Sequence, residues 1–426
     1  MKLERSRGTR DFLPEEQIAK QEILEKLRRV FELYGYSPLD SPALEKLDVL
    51  SSKYAGGSEI LKEIFTLKDQ GDRMLGLRYD LTVPLARIVA MNPQMKMPFK
   101  RYHIGEVWRD GPVSTSRYRQ FTQCDVDIVG CAAVTADAEI LCLARRVFDS
   151  LGLETRAKVN NRKLLNDILI KFKIPAAKHM DAILSLDKLE KFGESVVIKE
   201  LSAKGLSQEQ IDDIIDCITF VGSNDEKIER LKKLIGDTEG LRETAELLRY
   251  LDAFNTEVDF DPSLARGLTY YTGTVFEVMM VKSGVKSSVA GGGRYDRMIG
   301  GFLEKEEIPA TGISFGLDRI FDAYLEKRKS PRKSVAKVYV IPIKTFEHSF
   351  RVAEELRGAG IAADFDLMQR GPSKNLQYAN SLQIPFVLLI GEEEVRQNKV
   401  KLRNMETGEE KLVSVSECLR LLKKEQ

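Results

Sequence analysis

No run of 18 apolar residues occurs anywhere in the 426-residue chain, and Met1 to Arg10 alternates charge without an apolar block. Neither a membrane span nor a secretory leader is therefore expected. Cysteine is sparse: Cys124, Cys131, Cys142, Cys217 and Cys418 are odd in number and form no C-x-x-C pair. A disulfide framework and a zinc ribbon are both disfavoured, and reduced core thiols are expected. The three histidines, His103, His179 and His348, lie far apart without H-E-x-x-H spacing, so no metal site is expected. A surplus of one charge is also missing, since 66 Lys and Arg stand against 65 Asp and Glu. Holding nucleic acid by bulk charge needs a basic excess to neutralise phosphates, so any such contact must be local. Finally, neither G-x-x-x-x-G-K-[ST] nor a strand followed by G-x-G-x-x-G is present. Phosphate would have to be held without a glycine cradle.

What is present is a length suited to about three domains of roughly 150 residues each. Ile18, Leu24, Leu27, Phe31 and Tyr34 recur at helical spacing between Pro14 and Gly35 and predict a helix over 14–34. Pro38 and Pro42 then hold an extended path suited to an edge strand. From about Leu75 to Gly130 the β-branched and aromatic runs predict strands and tight loops of an antiparallel sheet. Between Asn161 and Leu251 periodic Leu and Ile in charged surroundings predict a helical insertion. A strand signal returns at Thr274–Met279 and a helix at Leu317–Lys327. The basic, proline-broken stretch after Lys327 reads as a linker. Beyond it, strands at 338–343, 363–367 and 386–390 alternate with helices at 346–357 and near 374–380, a small α/β domain.

Arginine is the alternative phosphate ligand, because its guanidinium is always charged and binds phosphate oxygens bidentately. Arg109, Arg117, Arg119, Arg266, Arg294 and Arg319 fall where the strand pattern is strongest.

These residues carry a resemblance. The segment Trp108-Arg109-Asp-Gly-Pro, continued by Arg117-Tyr-Arg-Gln-Phe-Thr-Gln-Cys-Asp-Val-Asp127, resembles motif 2 of class II aminoacyl-tRNA synthetases. Gly312-Ile-Ser-Phe-Gly316-Leu-Asp-Arg319 resembles motif 3, and the helix and strand ending at Pro42 look like motif 1. Arg266-Gly-Leu-Thr-Tyr-Tyr271 and Gly291-Gly-Gly-Arg-Tyr295-Asp are similar to signatures peculiar to histidyl-tRNA synthetases, and the likeness covers essentially the whole chain. The wording Leu77-Arg-Tyr-Asp80-Leu-Thr82-Val-Pro84 looks closest to archaeal and eukaryotic members.

The resemblance implies an α+β fold: a class II antiparallel sheet with flanking helices, a helical insertion, and a C-terminal α/β anticodon-binding domain. Catalytic segments at 1–160 and 252–326 would enclose an insertion at 161–251, with a linker at 327–333 and the anticodon domain at 334–426. It implies ligation of histidine to tRNA(His) with ATP and Mg²⁺, by a cytoplasmic homodimer. Motif by motif, Arg109 would grip the ATP α-phosphate, with Arg117 and Arg319 toward the γ-phosphate. Asp80, Thr82 and Gln123 would hold the histidine amino group. Asp127 and Tyr271 would meet the imidazole nitrogens, with Tyr295 lining the pocket, and Arg266 would stabilise charge on the reacting carboxylate. Two departures stand out: Gly111 occupies a position where Glu commonly reads adenine, and Ser116 replaces a frequent glycine. A regulatory histidine sensor of the same ancestry is the competing implication; such relatives generally lack the C-terminal domain and catalytic arginines, both of which this chain keeps.

Overall fold

The computed structural model describes residues 2–52, 61–114, 118–267, 269–303, 307–328 and 332–424. They form two compact units, Met1–Arg10 with Ile23–Lys327, and Asp11–Glu22 with Arg328–Gln426.

After the helix Pro14–Leu33 comes β1 (Ser37–Pro38). A side sheet of β2 (Leu44–Lys46), β3 (Thr66–Lys68) and β4 (Met74–Leu77) follows, with β4 in the middle. The main sheet of the first unit then takes β5 (Phe99–Trp108), β6 (Gln120–Val129), β7 (Thr155–Asn161), β8 (Val258–Phe260), β9 (Thr274–Met280), β10 (Ala290–Arg294) and β11 (Ala310–Gly316). Its order is β1-β5-β6-β11-β10-β9-β7-β8. The six inner strands pair antiparallel, and only the edge pairs β1–β5 and β7–β8 are parallel. Pro38 sits at an edge, where its missing N–H costs no inner ladder bond.

Side chains alternate between the faces of a sheet. Tyr102, Cys124, Val126 and Phe315 point to one side and are buried. There Phe31 of the first helix lies 5.6 Å from the rings of Tyr102 and Phe315, and Phe148 of the helix Val134–Leu151 lies 5.8 Å from Phe315. The opposite face carries Arg101, Gln123, Asp125, Asp127 and Ser314, in register across β5, β6 and β11. Glycines 105, 291, 293, 312 and 316 share that face and leave room above the strands.

Seven helices between Arg162 and Ala253 make up the expected insertion among the described residues. Their ends carry local caps: the Asn161 side chain accepts from Lys163 N, and Ser207 with Gln210 and Ser223 with Glu226 form capping boxes. A Cβ on Gly240 would meet the Leu164 backbone nitrogen at 2.2 Å, so the first and last helices approach as closely as they do only through glycine.

One segment differs from the reading of its sequence. Within the stretch expected as strands and tight loops, Thr82–Met91 is a helix. Its Val83, Ile88 and Val89 mimic strand composition. Pro84 is tolerated in a first turn, where backbone N–H groups lack helical partners, and Val83 N is satisfied by Asp80 Oδ1 at 3.0 Å.

The second unit contains β12 (Val338–Pro342), β13 (Ala363–Phe365), β14 (Phe386–Ile390), β15 (Val400–Asn404) and β16 (Glu410–Val413), ordered β13-β12-β14-β15-β16. The first three are parallel and the last two antiparallel. Val340 and Leu388 pack into one buried cluster, Ile341 and Val387 into another, so both faces of the parallel part are covered.

Candidate active site

A cavity of about 520 Å³ opens on the glycine-lined face of the main sheet. Asp80, Thr82, Arg109, Gln123, Asp127, Arg266, Tyr271, Tyr295 and Arg319 all line it. Arg117 lies outside the described residues. Two of the arginines singled out in the sequence belong elsewhere: Arg119 pairs with Asp110 at 3.0 Å, and Arg294 points to the helix-covered face, where it pairs with Asp137 at 2.7 Å.

One end of the cavity is acidic. Gln123, Asp125 and Asp127 follow at every second position of β6 and so project together. Asp127 is 3% exposed on a strand flanked on both sides. Its Oδ1 accepts from the Tyr295 hydroxyl at 2.5 Å, and Oδ2 lies 2.8 Å from Arg101 Nη2. A Cβ on Gly312 would meet Asp127 Oδ1 at 2.0 Å, so the carboxylate lies across β11 because that position is glycine. Arg101 is fully buried. Asp80, just before the helix Thr82–Met91, is fixed by the backbone N–H groups of Val83 and Thr82.

Burial dominates the electrostatics of this end. It pushes Asp80 up to about 6, against the pull of those N–H groups and of Arg109 and Arg101. It pushes Asp125 up to about 7, with Asp127 and Asp80 adding to the rise and Arg101 opposing it. Asp127 is raised for the same reason, held down in part by Arg101. Three carboxylates thus face one fully buried guanidinium. Several polar atoms there have no hydrogen-bond partner among the described residues: Asp125 Oδ1, Gln123 Oε1, and Nε and Nη1 of Arg101. Buried acceptors of this kind are costly unless a donor reaches them.

The other end is cationic. Arg109 donates from Nε to Tyr79 O at 3.0 Å and lies 5.2 Å from the Phe121 ring centroid. Arg319, in the first turn of the helix Leu317–Lys327, donates from Nη1 to Ser288 O at 2.8 Å. Arg266 is paired with Glu277 at 2.9 Å. Burial opposes its charge, but the neighbouring Tyr271 and Glu277 outweigh it and raise its pKa. A Cβ on Gly291 would lie 2.6 Å from Arg266 Nη1, so this guanidinium also rests over glycine. Tyr271 and Tyr270 pack at 4.8 Å, and Tyr270 and Tyr295 at 6.1 Å, closing an aromatic wall between the two ends.

Arg101, Asp125, Tyr270, Glu277 and Ser314 escaped the sequence reading. Asp125 was within its reach, because alternation puts it on the face of Asp127. Arg101 was not, since only the β5–β6 register sets it opposite Asp127. His103 is a buried structural histidine, its Nε2 3.0 Å from Asp40 Oδ1.

A cavity with carboxylates at one end and guanidiniums at the other suits a ligand pair of opposite charge, a cationic amino acid and a polyphosphate. The comparisons agree. Residues 8–320 match the histidyl-tRNA synthetase family, and residues 337–425 match an anticodon binding domain. The chain is 44% identical over 429 residues to histidine–tRNA ligase 1 of Bacillus cereus, covering 99% of this chain and all of that protein. It is 42% identical to histidine–tRNA ligase 2 of Shouchella clausii over 96% of this chain and 98% of that one. The crystal structure of histidyl-tRNA synthetase from Nostoc sp. PCC 7120 superposes with a TM-score of 0.89 at 28% identity, covering both chains in full. These relatives are bacterial, which overturns the archaeal and eukaryotic leaning expected from the segment at Leu77–Pro84.

Proposed function

This chain belongs to the histidyl-tRNA synthetase family, and from that premise we propose that its cavity activates histidine with ATP and passes the histidyl group to tRNA(His). A carboxylate oxygen of histidine attacks the α-phosphorus. The bond to the bridging oxygen breaks, pyrophosphate leaves, and histidyl-adenylate remains. A hydroxyl of the terminal ribose then attacks the acyl carbon, and AMP departs. The observation that carries this reading is the pairing of buried, unpartnered acceptors with three guanidiniums in one cavity.

The residue roles follow the charge. Asp80, Thr82 and Gln123 hold the amino group. Asp127 and Tyr271 meet the two ring nitrogens, and Tyr295 orients Asp127 through its 2.5 Å hydrogen bond. An amino acid without two ring nitrogens would leave these groups unpaired, which discriminates by about 10⁴ to 10⁵ without editing. Arg109 holds the α-phosphate, Arg117 and Arg319 the γ-phosphate, and Arg266 the charge that grows on the reacting carboxylate and α-phosphate. Among the described residues no group of three or more His, Cys, Asp or Glu is arranged to hold a metal ion. Mg²⁺ would enter with ATP and would offset the negative charge of the departing pyrophosphate.

The wider organisation is part of the same reading. Residues 1–160 and 252–326 form the catalytic domain, 161–251 the insertion, 327–333 the linker, and 334–426 the domain that reads the anticodon. A homodimer is supported by the side sheet, where Leu44 and Leu67 are 46% and 36% exposed on one face. Among the described residues no helix is long and apolar enough to cross a membrane, and the cytoplasm is the compartment of the proposed reaction.

ATP–pyrophosphate exchange measured across the twenty amino acids tests the reading. Exchange is expected with histidine alone. Exchange driven by another amino acid, or by none, would refute it.

A further inference from the structure

The acidic end holds one carboxylate more than the proposed roles use. Asp125 stands between Gln123 and Asp127 on β6, is 3% exposed, and lines the cavity. Its carboxylate takes a hydrogen bond from the Ser314 side chain on β11, its register partner, while Oδ1 has no partner among the described residues.

Ser314 links Asp125 to Gln123. Gln123 Nε2 donates to Ser314 Oγ at 2.8 Å. When Asp125 is ionised, as beside a bound ammonium, its carboxylate only accepts, so the Ser314 hydroxyl gives its proton to Asp125 and accepts from Gln123. That relay fixes the amide with its NH₂ toward Ser314. Gln123 Oε1 is left as a second buried acceptor without a partner. Asp125 Oδ1 and Gln123 Oε1 therefore both call for a donor.

Residues two apart on a strand stand about 7 Å from one another. If Asp127 meets the imidazole, the next acidic side chain along β6 stands where the other end of histidine must lie. Asp80 approaches from the segment before the helix Thr82–Met91, close enough to add to the charge crowding on Asp125. Set against Arg101 and the Arg109 that also acts on Asp80, the three carboxylates when ionised still leave one negative charge that an ammonium would offset.

We infer that Asp125 adds a further buried acceptor to Asp80, Thr82 and Gln123 Oε1 around the α-ammonium group of histidine. The inference deepens the proposed function and rests on it. It predicts recognition of the amino group as a separate contribution, distinct from recognition of the ring by Asp127.

Calorimetric titration of the full-length protein with three ligands tests it: histidine, histidinol, which keeps the amino group but lacks the carboxylate, and 3-(imidazol-4-yl)propionate, which lacks the amino group. Asp125→Asn keeps the shape and removes the charge. It should weaken histidine and histidinol at least about tenfold, the scale of one charge-assisted hydrogen bond, and leave the propionate within about twofold. Ser314→Ala, which frees both acceptors from their common anchor, should show the same ordering with a smaller loss. Unchanged histidine and histidinol binding in Asp125→Asn would overturn the inference alone, as would an equal loss for all three ligands. If the unchanged protein failed to bind histidine, the proposed function would fall first and this inference with it.

Discussion

Two buried arginine–aspartate pairs lie on opposite faces of the same sheet, and they are built differently. On the helix-covered face, Arg294 donates from Nε and Nη2 to Asp137 Oδ2 at 3.1 and 2.7 Å, from Nη1 to Cys131 O at 3.0 Å, and from Nη2 to Ala133 O at 3.1 Å. Asp137 Oδ1 is closed off by Thr311 Oγ1 at 2.7 Å. On the cavity face, one residue further along β11, Gly312 makes room for Asp127, whose partner Arg101 has two nitrogens without hydrogen bonds. The first pair is complete within the protein. The second keeps polar atoms without hydrogen-bond partners among the described residues, and incompleteness of that kind is what sets a candidate binding site apart from a structural ion pair of equal burial.

Removing one member of the closed pair gives the largest expected effect. Arg294→Ala leaves the Asp137 carboxylate buried and unpaired and should lower unfolding stability by about 3–5 kcal/mol in denaturant titrations. Histidine affinity of the folded fraction should hardly move. A mild stability loss with impaired histidine binding would break the contrast between the faces.

At the cationic end the effect should appear in rate. Arg266→Ala is expected to cut adenylate formation by roughly 10² to 10³, or about 2.7–4 kcal/mol, in rapid-quench measurements, with histidine affinity little changed. Were Arg266 only the ion-pair partner of Glu277, stability would fall and turnover of the folded fraction would not.

Asp127→Ala should cost less, about 1.5–3 kcal/mol in kcat/KM for histidine, with the KM for ATP unaffected. A variant with normal histidine kinetics would remove Asp127 from the site and leave the open pair without a purpose.

Legibility from sequence divided along the same line. The helix Leu317–Lys327 and the strand Phe386–Ile390 have the bounds that periodicity predicts, because local pattern sets them. The helix Thr82–Met91 was hidden by its β-branched residues, since propensity yields to the packing of Val83, Leu85 and Val89 in the core. The motif residues among the described ones, Asp80, Thr82, Arg109, Gln123, Asp127, Arg266, Tyr271, Tyr295 and Arg319, line one cavity. Arg101 and Ser314 were illegible for a different reason: each acts on a neighbour across a strand, and only register brings them there. The role of Gly312 could likewise be seen only once Asp127 lay over it.

The smallest expected effect concerns pH, and it sharpens the comparison without substrate. Asp125 ionises at an ordinary 3.8 when unfolded, and burial pushes it up to about 7 in the fold. Between those values the folded protein binds the extra proton, so stability falls as pH rises. The contribution is fully present below about 4 and is lost as pH passes through about 7. Charged and titratable neighbours act in this window from every side. Asp80 lies before the helix Thr82–Met91, Asp127 is on β6, and Arg101 is on β5; these persist when Asp125 is replaced. His103, also on β5, is pushed down to about 4 by burial and by Arg101 and Arg78, so it stays neutral and adds no charge above that pH. Asp125→Asn cannot titrate. Its unfolding midpoint relative to the unchanged protein should therefore rise from pH 4.5 to pH 8. Saturating histidine should narrow the gap at pH 8, because a bound ammonium supplies the counter-charge that the ionised Asp125 lacks. A gap independent of pH would mean that Asp125 is already paired inside the protein, and the cavity face would then be as closed as the face that carries Arg294.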